Sequence, residues 1–371
     1  MKIVISGYVG KKITGIGRNL VSLLKNTSLN NEYVIYTNYD MDDSLKFLAT
    51  NIKVKTYNIS KNNSLGNLLW TTFVFPFKAL FEKADIALIP NFTLLLIKFK
   101  PTIVIMHDLI EFNVPNKFSK IKMFYRKKLA DPITAYRANG IITVSQNSKN
   151  DIMKYLNISS SKIKIIYNGV DRKLFQKMDD VKAIGIFRRK KWPEKFMLYA
   201  GTIDHPGKNA IMVIKAFEQL KNKKQYNGKL VLAGMPGAGF YFIENYIKTS
   251  DWYNDIILTG YVTDEELVAL YSKCDVFVFL SLYEGFGIPP LEALACGAKT
   301  IVSNRSSLPE VVGDIGKITK IDNIDNICDI INQELMTNQD EIYMEKLEKH
   351  LVKFDWHKLG KQFEKILINF M

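Results

Sequence analysis

Glu284 and Glu292 enclose Gly285-Phe286-Gly287-Ile288-Pro289-Pro290-Leu291, and the whole run follows directly on the apolar stretch 276–280. The two glycines let a ligand approach the backbone closely. Pro289 and Pro290 pre-set the first turn of a helix, whose free N–H groups and positive dipole end favour an anion. One carboxylate in the loop and one in the first helical turn then offer acceptors for hydroxyl groups at the carboxyl end of a strand. The chemistry implied is recognition of a polyhydroxylated ligand with an anionic tail. Either glutamate alone would suit an ordinary helix-dipole partner; the nine-residue pattern is more specific than its members. Lys208, just after Pro206-Gly207 at the start of another helix, can place an ammonium beside phosphate oxygens. Lysine is otherwise disfavoured at that positive end. His107 ends an apolar run beside Asp108 and is one of only four histidines; a lone histidine in such a place is usually a satisfied core or loop residue, with a catalytic role as the other reading.

These residues need strands and helices to hold them. Short β-rich runs at 2–6, 33–37, 52–57, 86–90, 102–107, 140–145 and 162–167 are separated by stretches long enough for helices. A second series, 196–200, 229–233, 255–259, 275–280 and 299–303, is almost continuously apolar, as strands buried on both faces of a parallel sheet should be. Two doubly wound α/β domains in tandem follow, with ligands expected outside the carboxyl ends of the strands. The charge-rich stretch 172–195 separates the two series, giving domains of 1–176 and 177–355. Beyond them, Trp356, Leu359, Phe363, Ile366 and Phe370 recur at helical spacing.

Composition narrows the class. With 371 residues, 47% hydrophobic and 24% charged, the chain reads as a globular protein of two domains. Three cysteines without a Cys-x-x-Cys spacing argue against a disulfide framework or structural zinc and favour a cytoplasmic setting. The start Met-Lys-Ile-Val-Ile-Ser-Gly reads into a strand rather than a signal peptide, and no apolar run approaches the ~20 residues of a membrane span. The net charge of +14 is unevenly spread: residues 1–180 hold 27 Lys and Arg against 13 Asp and Glu, and residues 181–371 hold 24 against 24. Such a half-chain favours an anionic partner, whether phospholipid, nucleic acid or a phosphorylated acceptor. Segment 117–128 mixes cations with Phe118, Ile121, Met123, Phe124 and Tyr125, as a basic helix on an anionic bilayer would; a packed helix with a solvated lysine face fits equally. Stretch 65–81, with Trp70, Phe73, Phe75 and Phe77, is either a second membrane-facing element or core. No RNA-binding signature or recognition helix accompanies the basic charge, so nucleic acid is not expected as a partner.

The Glu284-to-Glu292 run resembles the signature of the retaining glycosyltransferases of family 4, which have the GT-B fold of two Rossmann-like domains. Thr14-Gly15-Ile16-Gly17-Arg18 is similar to that family's amino-terminal glycine loop, and Met106-His107-Asp108 to its central His-Asp motif. Segments 201–209, 260–262 and 303–310 are also similar, so the resemblance spans both halves. It implies that the first domain binds an acceptor and the second a nucleotide-sugar, with the reaction in the cleft between them and the carboxy-terminal helix 356–371 crossing back to the first domain. By the same resemblance His107, Lys208 and Glu284 are catalytic, His107 lying beside the transferred sugar. Lys208 stabilises the leaving diphosphate; Glu284, Gly285, Phe286, Gly287 and Ile288 meet the donor sugar; Glu292 takes the ribose hydroxyls; and the backbone at Val262 contacts the base. Gly15 and Gly17, placed before a helix starting near Arg18, approach the diphosphate, although a plain tight turn explains them almost as well.

One departure is visible. Many family members carry an arginine where this chain has Thr202 among its donor-binding residues, so Lys11, Lys12 or Arg18, which are also the acceptor-binding candidates, is expected to supply the missing charge. The implied reaction moves a sugar from a UDP-, GDP- or dTDP-sugar to a saccharide hydroxyl with retention of configuration. It uses no metal and no cofactor beyond the co-substrate. The basic half and its aromatics point to a lipid-linked saccharide acceptor at the inner membrane face, as in surface polysaccharide or lipopolysaccharide synthesis. A glycosidase is disfavoured because both glutamates belong to one loop–helix segment, whereas hydrolysis needs two carboxyls facing across the bond. A nucleotide-sugar 2-epimerase shares the architecture, and a basic nucleic-acid-binding or membrane-binding protein shares the charge.

Overall fold

The computed structural model describes residues 1–7, 15–37, 50–56, 64–90, 93–115 and 117–370, so Lys11 and Lys12 lie outside the described residues. The chain divides into two compact units, Met1–Gly169 with Phe354–Met371, and Val170–Lys353.

The first unit carries a seven-stranded parallel sheet. Its strands are β1 (Lys2–Ser6), β2 (Glu32–Thr37), β3 (Ile52–Thr56), β4 (Ile86–Ile89), β5 (Thr102–Ile105), β6 (Gly140–Thr143) and β7 (Ile163–Ile165), in the order β3-β2-β1-β4-β5-β6-β7. Alternation along the strands sorts their side chains into two cores. On one face Val4, Val34, Val104 and Ile141 pack against Trp70, Phe75, Ala79, Leu95, Ala135 and Ile152. On the other, Ile3, Ile5, Tyr33 and Ile35 pack against Leu20, Leu23 and Leu24 of the Gly15–Lys25 helix and Leu359, Phe363 and Leu367 of the Trp356–Ile368 helix. That last helix is seated by Glu364, only 8% exposed, which accepts hydrogen bonds from Ser28 N, Asn31 Nδ2 and Tyr33 Oη at 3.0, 2.7 and 3.1 Å. Gly360 allows the approach, since a Cβ there would stand 2.2 Å from the Asn26 carbonyl oxygen.

The second unit holds six parallel strands, β8 (Phe196–Ala200), β9 (Lys229–Ala233), β10 (Ile256–Gly260), β11 (Val276–Phe279), β12 (Thr300–Ser303) and β13 (Lys317–Thr319), in the order β10-β9-β8-β11-β12-β13. The edge strand β13 was absent from the sequence reading: it has three residues, two of them exposed, and no apolar run to mark it. Every residue of β8 and β11 is buried, as their uninterrupted apolar sequences require. The strand order reverses between them, leaving a crevice outside their carboxyl ends.

Candidate active site

The loops leaving β8 and β11 meet at that switch point. Asn209 donates its side-chain amide to the Leu280 carbonyl at 3.1 Å, and Leu282 N–H donates to the Gly207 carbonyl at 3.0 Å. Between them Lys208 Nζ reaches both carboxylate oxygens of Glu284, at 2.6 and 2.8 Å. The Glu284 side chain is only 12% exposed and that of Lys208 27%, so each charge sits where water compensates it poorly and its partner compensates it well. The sequence reading assigned the two to separate parts of a ligand; the structure joins them into one charged group. Lys208 precedes the Ala210–Asn222 helix rather than sitting inside its first turn, and its backbone N–H donates to the buried Asp204 carboxylate at 2.7 Å.

A second layer of side chains shapes the loop that carries Glu284. Ser306 Oγ accepts the Glu284 N–H at 2.9 Å, and the buried Ser307 hydroxyl is shared between the carbonyls of Glu284 and Phe286 at 3.0 and 2.6 Å. Ser303 Oγ donates to the Ser281 carbonyl at 2.6 Å. Ser306 holds φ at 50°, a left-handed conformation that costs a non-glycine residue on the order of 1–2 kcal/mol. Gly287, at φ 110°, turns the chain into the Ile288–Ala295 helix, where a Cβ would press 2.7 Å from Leu308 Cδ2. Pro289 and Pro290 follow within its first turn. Sequence reasoning assigned no role to Ser281, Ser303, Ser306, Ser307 or Asp204. The serine-rich stretch 303–307 was visible as a segment, but nothing local shows that its hydroxyls reach a loop about twenty residues earlier.

The helix begins at Ile288, which places Glu292 in the second turn, not the first as expected. There it is half-buried, close enough to Tyr271 that its negative charge adds to the dominant effect of burial in holding that hydroxyl well above its ordinary pKa. Val262 is half-buried, two residues beyond Gly260 and just ahead of Thr263, which caps the Asp264–Lys273 helix with a capping box to Glu266. Thr202 follows Gly201 at the end of β8, where its carbonyl accepts the Tyr199 hydroxyl at 3.0 Å.

In the first unit, Gly15 and Gly17 do not precede a helix; they lie inside Gly15–Lys25. A Cβ at Gly15 would meet nothing within 4 Å, so packing does not require glycine there. Arg18 is exposed on the same helix. His107 lies beyond β5, 8% exposed, with Nε2 3.3 Å from the Pro90 carbonyl oxygen. Burial drives its pKa down to about 4, partly offset by that carbonyl, so the imidazole is neutral near pH 7 and donates through Nε2. Ser148 Oγ donates to the His107 carbonyl at 3.1 Å and Asp108 caps the Ile110 N–H at 3.1 Å, holding the backbone on both sides of the ring.

The family models match both units: "Glycosyltransferase Family 4" over residues 15–174 and "Glycosyl transferases group 1" over residues 186–350. The chain belongs to the family 4 glycosyltransferases. It is 34% identical over 220 residues to the serotype-specific mannosyltransferase WbdA of Escherichia coli, a match covering 57% of this chain and only 26% of that protein. With the O-antigen chain mannosyltransferase RfbU of Salmonella typhimurium it shares 28% identity over 277 residues, covering 74% of this chain and 72% of the relative. The crystal structure of Anabaena HepE in complex with UDP and glucose superposes over 100% of both chains with a TM-score of 0.75 at 19% identity, a likeness in fold. The two parallel sheets, of seven and six strands, are those of the GT-B fold.

Proposed function

We propose that the protein is a retaining glycosyltransferase that moves a hexose from a nucleoside-diphosphate sugar to a saccharide hydroxyl. The single observation carrying this reading is the Lys208–Glu284 pair, set at the switch point of the second sheet on loops cross-tied by buried hydroxyls. When a donor binds, the ammonium turns toward the diphosphate and stabilises the charge that grows as the sugar departs. Glu284 then accepts from sugar hydroxyls, which replace part of what the lysine gave it. The amides of Gly285, Phe286 and Gly287 lie at the start of the Ile288–Ala295 helix, where a helix dipole favours anionic oxygens. Glu292 accepts from the ribose hydroxyls, and the backbone at Val262 meets the base. His107, neutral and buried, is suited to hydrogen bonding with the transferred sugar without bringing a positive charge. With Thr202 in the place of a cation, Arg18 and the lysines at 11 and 12 are the candidates to complete the diphosphate contacts. No metal is assigned a part in this reaction.

The acceptor is proposed to be a lipid-linked saccharide bound by the first unit, with the protein peripheral at the cytoplasmic membrane face. Among the described residues no helix is long and apolar enough to cross a membrane, while the amino-terminal half holds the whole excess of positive charge. The names of the relatives make mannose the first sugar to test and O-antigen-type chains the first acceptors. A panel of UDP-, GDP-, dTDP- and ADP-sugars, read by thermal stabilisation and then by donor hydrolysis without acceptor, tests the reading. Stabilisation by at least one class, with release of its nucleoside diphosphate, is expected. Failure of all four overturns it.

A further inference from the structure

The first unit exposes apolar side chains that its own packing does not explain. Leu69, Phe73, Phe77, Leu80 and Phe81 recur on one side of a continuous helical rod made of Ser64–Leu69, the π-helical Trp70–Val74 and Phe75–Phe81. They are 47%, 49%, 43%, 39% and 77% exposed, while Trp70, Thr71, Thr72, Phe75 and Ala79 on the other side are buried. The aromatic stretch that the sequence left as either core or surface is therefore both. Phe99 stacks obliquely on Phe77 with centroids 4.9 Å apart, and Phe99 and Leu96 extend the ridge at 46% and 40% exposure.

Segment 93–100 joins this ridge to the basic segment. The Thr71 and Thr93 hydroxyls bond, and Thr72 Oγ1 donates to the Leu94 carbonyl at 3.0 Å. On its other flank Thr134 Oγ1 donates to the Thr93 carbonyl at 2.6 Å, and Lys98 Nζ to the Arg137 carbonyl at 2.6 Å. The Asp131–Arg137 helix is thus tied beside the ridge, and Lys120–Tyr125 and π-helical Arg126–Ala130 lead into it; together these residues present Ile121, Phe124 and Tyr136 at 84%, 62% and 80% exposure. Across 64–81, 93–100 and 117–137 there are ten lysines and arginines and one acidic residue, Asp131, which is buried. The acidic groups that flank these segments are engaged: Glu82 with Lys2 and Lys55, Glu111 with Arg126. Trp70, Phe75, Leu95 and Ala135 anchor all three segments to one face of the sheet, the one opposite the Gly15–Lys25 and Trp356–Ile368 helices.

We propose that this face rests on an anionic phospholipid bilayer, the phenylalanine ridge entering the interfacial layer while the lysines of 117–128 lie against the headgroups. A protein partner matching this excess of cations would need a comparably acidic surface and pockets for separate phenylalanines; a bilayer supplies negative charge and an apolar layer together. The proposal deepens the lipid-linked reading above and rests on it for its purpose, since a surface-docked first unit meets its acceptor in the same plane.

The test is co-sedimentation with vesicles of phosphatidylcholine, with and without phosphatidylglycerol, beside stabilisation by nucleoside diphosphates in the same preparations. The protein is expected to bind anionic vesicles at least about tenfold more tightly than neutral ones. Phe77→Ser, Phe81→Ser and Phe99→Ser together should leave only weak binding that is abolished by salt. Lys120→Gln, Lys122→Gln and Lys128→Gln together should remove the preference for anionic lipid. Lys346→Gln, Lys349→Gln and Lys353→Gln remove equal charge elsewhere and should change nothing. Equal weakening by that last set, or no binding to anionic vesicles at low salt, overturns the proposal. So does a dimer in solution that the phenylalanine substitutions make monomeric, which would assign the face to a second copy. Vesicle binding without nucleotide stabilisation would instead sink the transferase reading and leave the face standing.

Discussion

The two units share an architecture and use their polar groups differently. In the second, hydroxyls and one ion pair converge at the carboxyl ends of β8, β11 and β12, where the side chains of Ser281, Ser303, Ser306 and Ser307 bind backbone carbonyls and an amide rather than one another's hydroxyls. In the first, the threonines at 71, 72, 93 and 134 fasten surface segments to one another, and what they hold out is an apolar and basic face. The difference teaches where accuracy is needed. Under the proposed function, the loop that presents Glu284 to a ligand is over-determined by hydrogen bonds, because an error of about 1 Å in placement is costly to catalysis. The face proposed to meet a fluid bilayer would need only its composition and its side of the sheet.

The sharpest way to break this comparison is at Glu284. Glu284→Gln should keep the shape of the loop and lower kcat by roughly 10²–10³-fold, because it removes both the sugar acceptor and the charge that positions Lys208. Steady-state kinetics with the stabilising donor would show it, and a change in KM alone would refute the role. Next in size is a contrast in pH response. His107 is neutral in the fold with a pKa of about 4, against about 6.5 when unfolded, so the unfolded chain binds more protons between those values and stability falls as pH drops through that window. From pH 7 to pH 5 the loss is about 2 kcal/mol, and His107→Asn should remove that part of it in denaturant melts followed at both pH values. If both proteins lose stability equally, the imidazole is not held neutral.

Glu292→Gln should raise donor KM about tenfold with little change in kcat, since a charge-assisted acceptor becomes a neutral one. Identical behaviour of Glu284→Gln and Glu292→Gln would erase the division between them. The smallest effect is the most discriminating for the serine scaffold. Ser306→Gly relieves the left-handed backbone while removing the acceptor for the Glu284 N–H, so Tm should stay level or rise while kcat falls about fivefold. Parallel loss of stability and activity would make Ser306 a merely structural residue.

Much of this was legible beforehand because it is local. Runs such as Phe196–Ala200 and Val276–Phe279 have no polar alternation, so they suit only strands covered on both faces. The Gly-x-Gly-Ile-Pro-Pro sequence marks a turn into a helix whatever surrounds it. Local signals also misled by small amounts: the glycines at 15 and 17, expected ahead of a helix starting near Arg18, lie inside it, and Glu292 was placed one turn too early. The three-residue β13 left no pattern to read, because an edge strand with two exposed residues needs no apolar run.

Residue types and spacings were therefore enough for the two parallel sheets, for the turn into a helix after Gly287, and for the concentration of positive charge in the first half. They could not say that Lys208 would grip Glu284 across 76 positions, that Ser306 and Ser307 would clamp a loop 21 to 23 residues earlier, or that Phe73 and Phe77 would face outward while Trp70 and Phe75 faced in. The reason is physical. Periodicity records only whether a side chain leaves water, whereas strand order decides which loops become neighbours, and the rotation of each helix on its sheet decides which of its apolar residues the core takes.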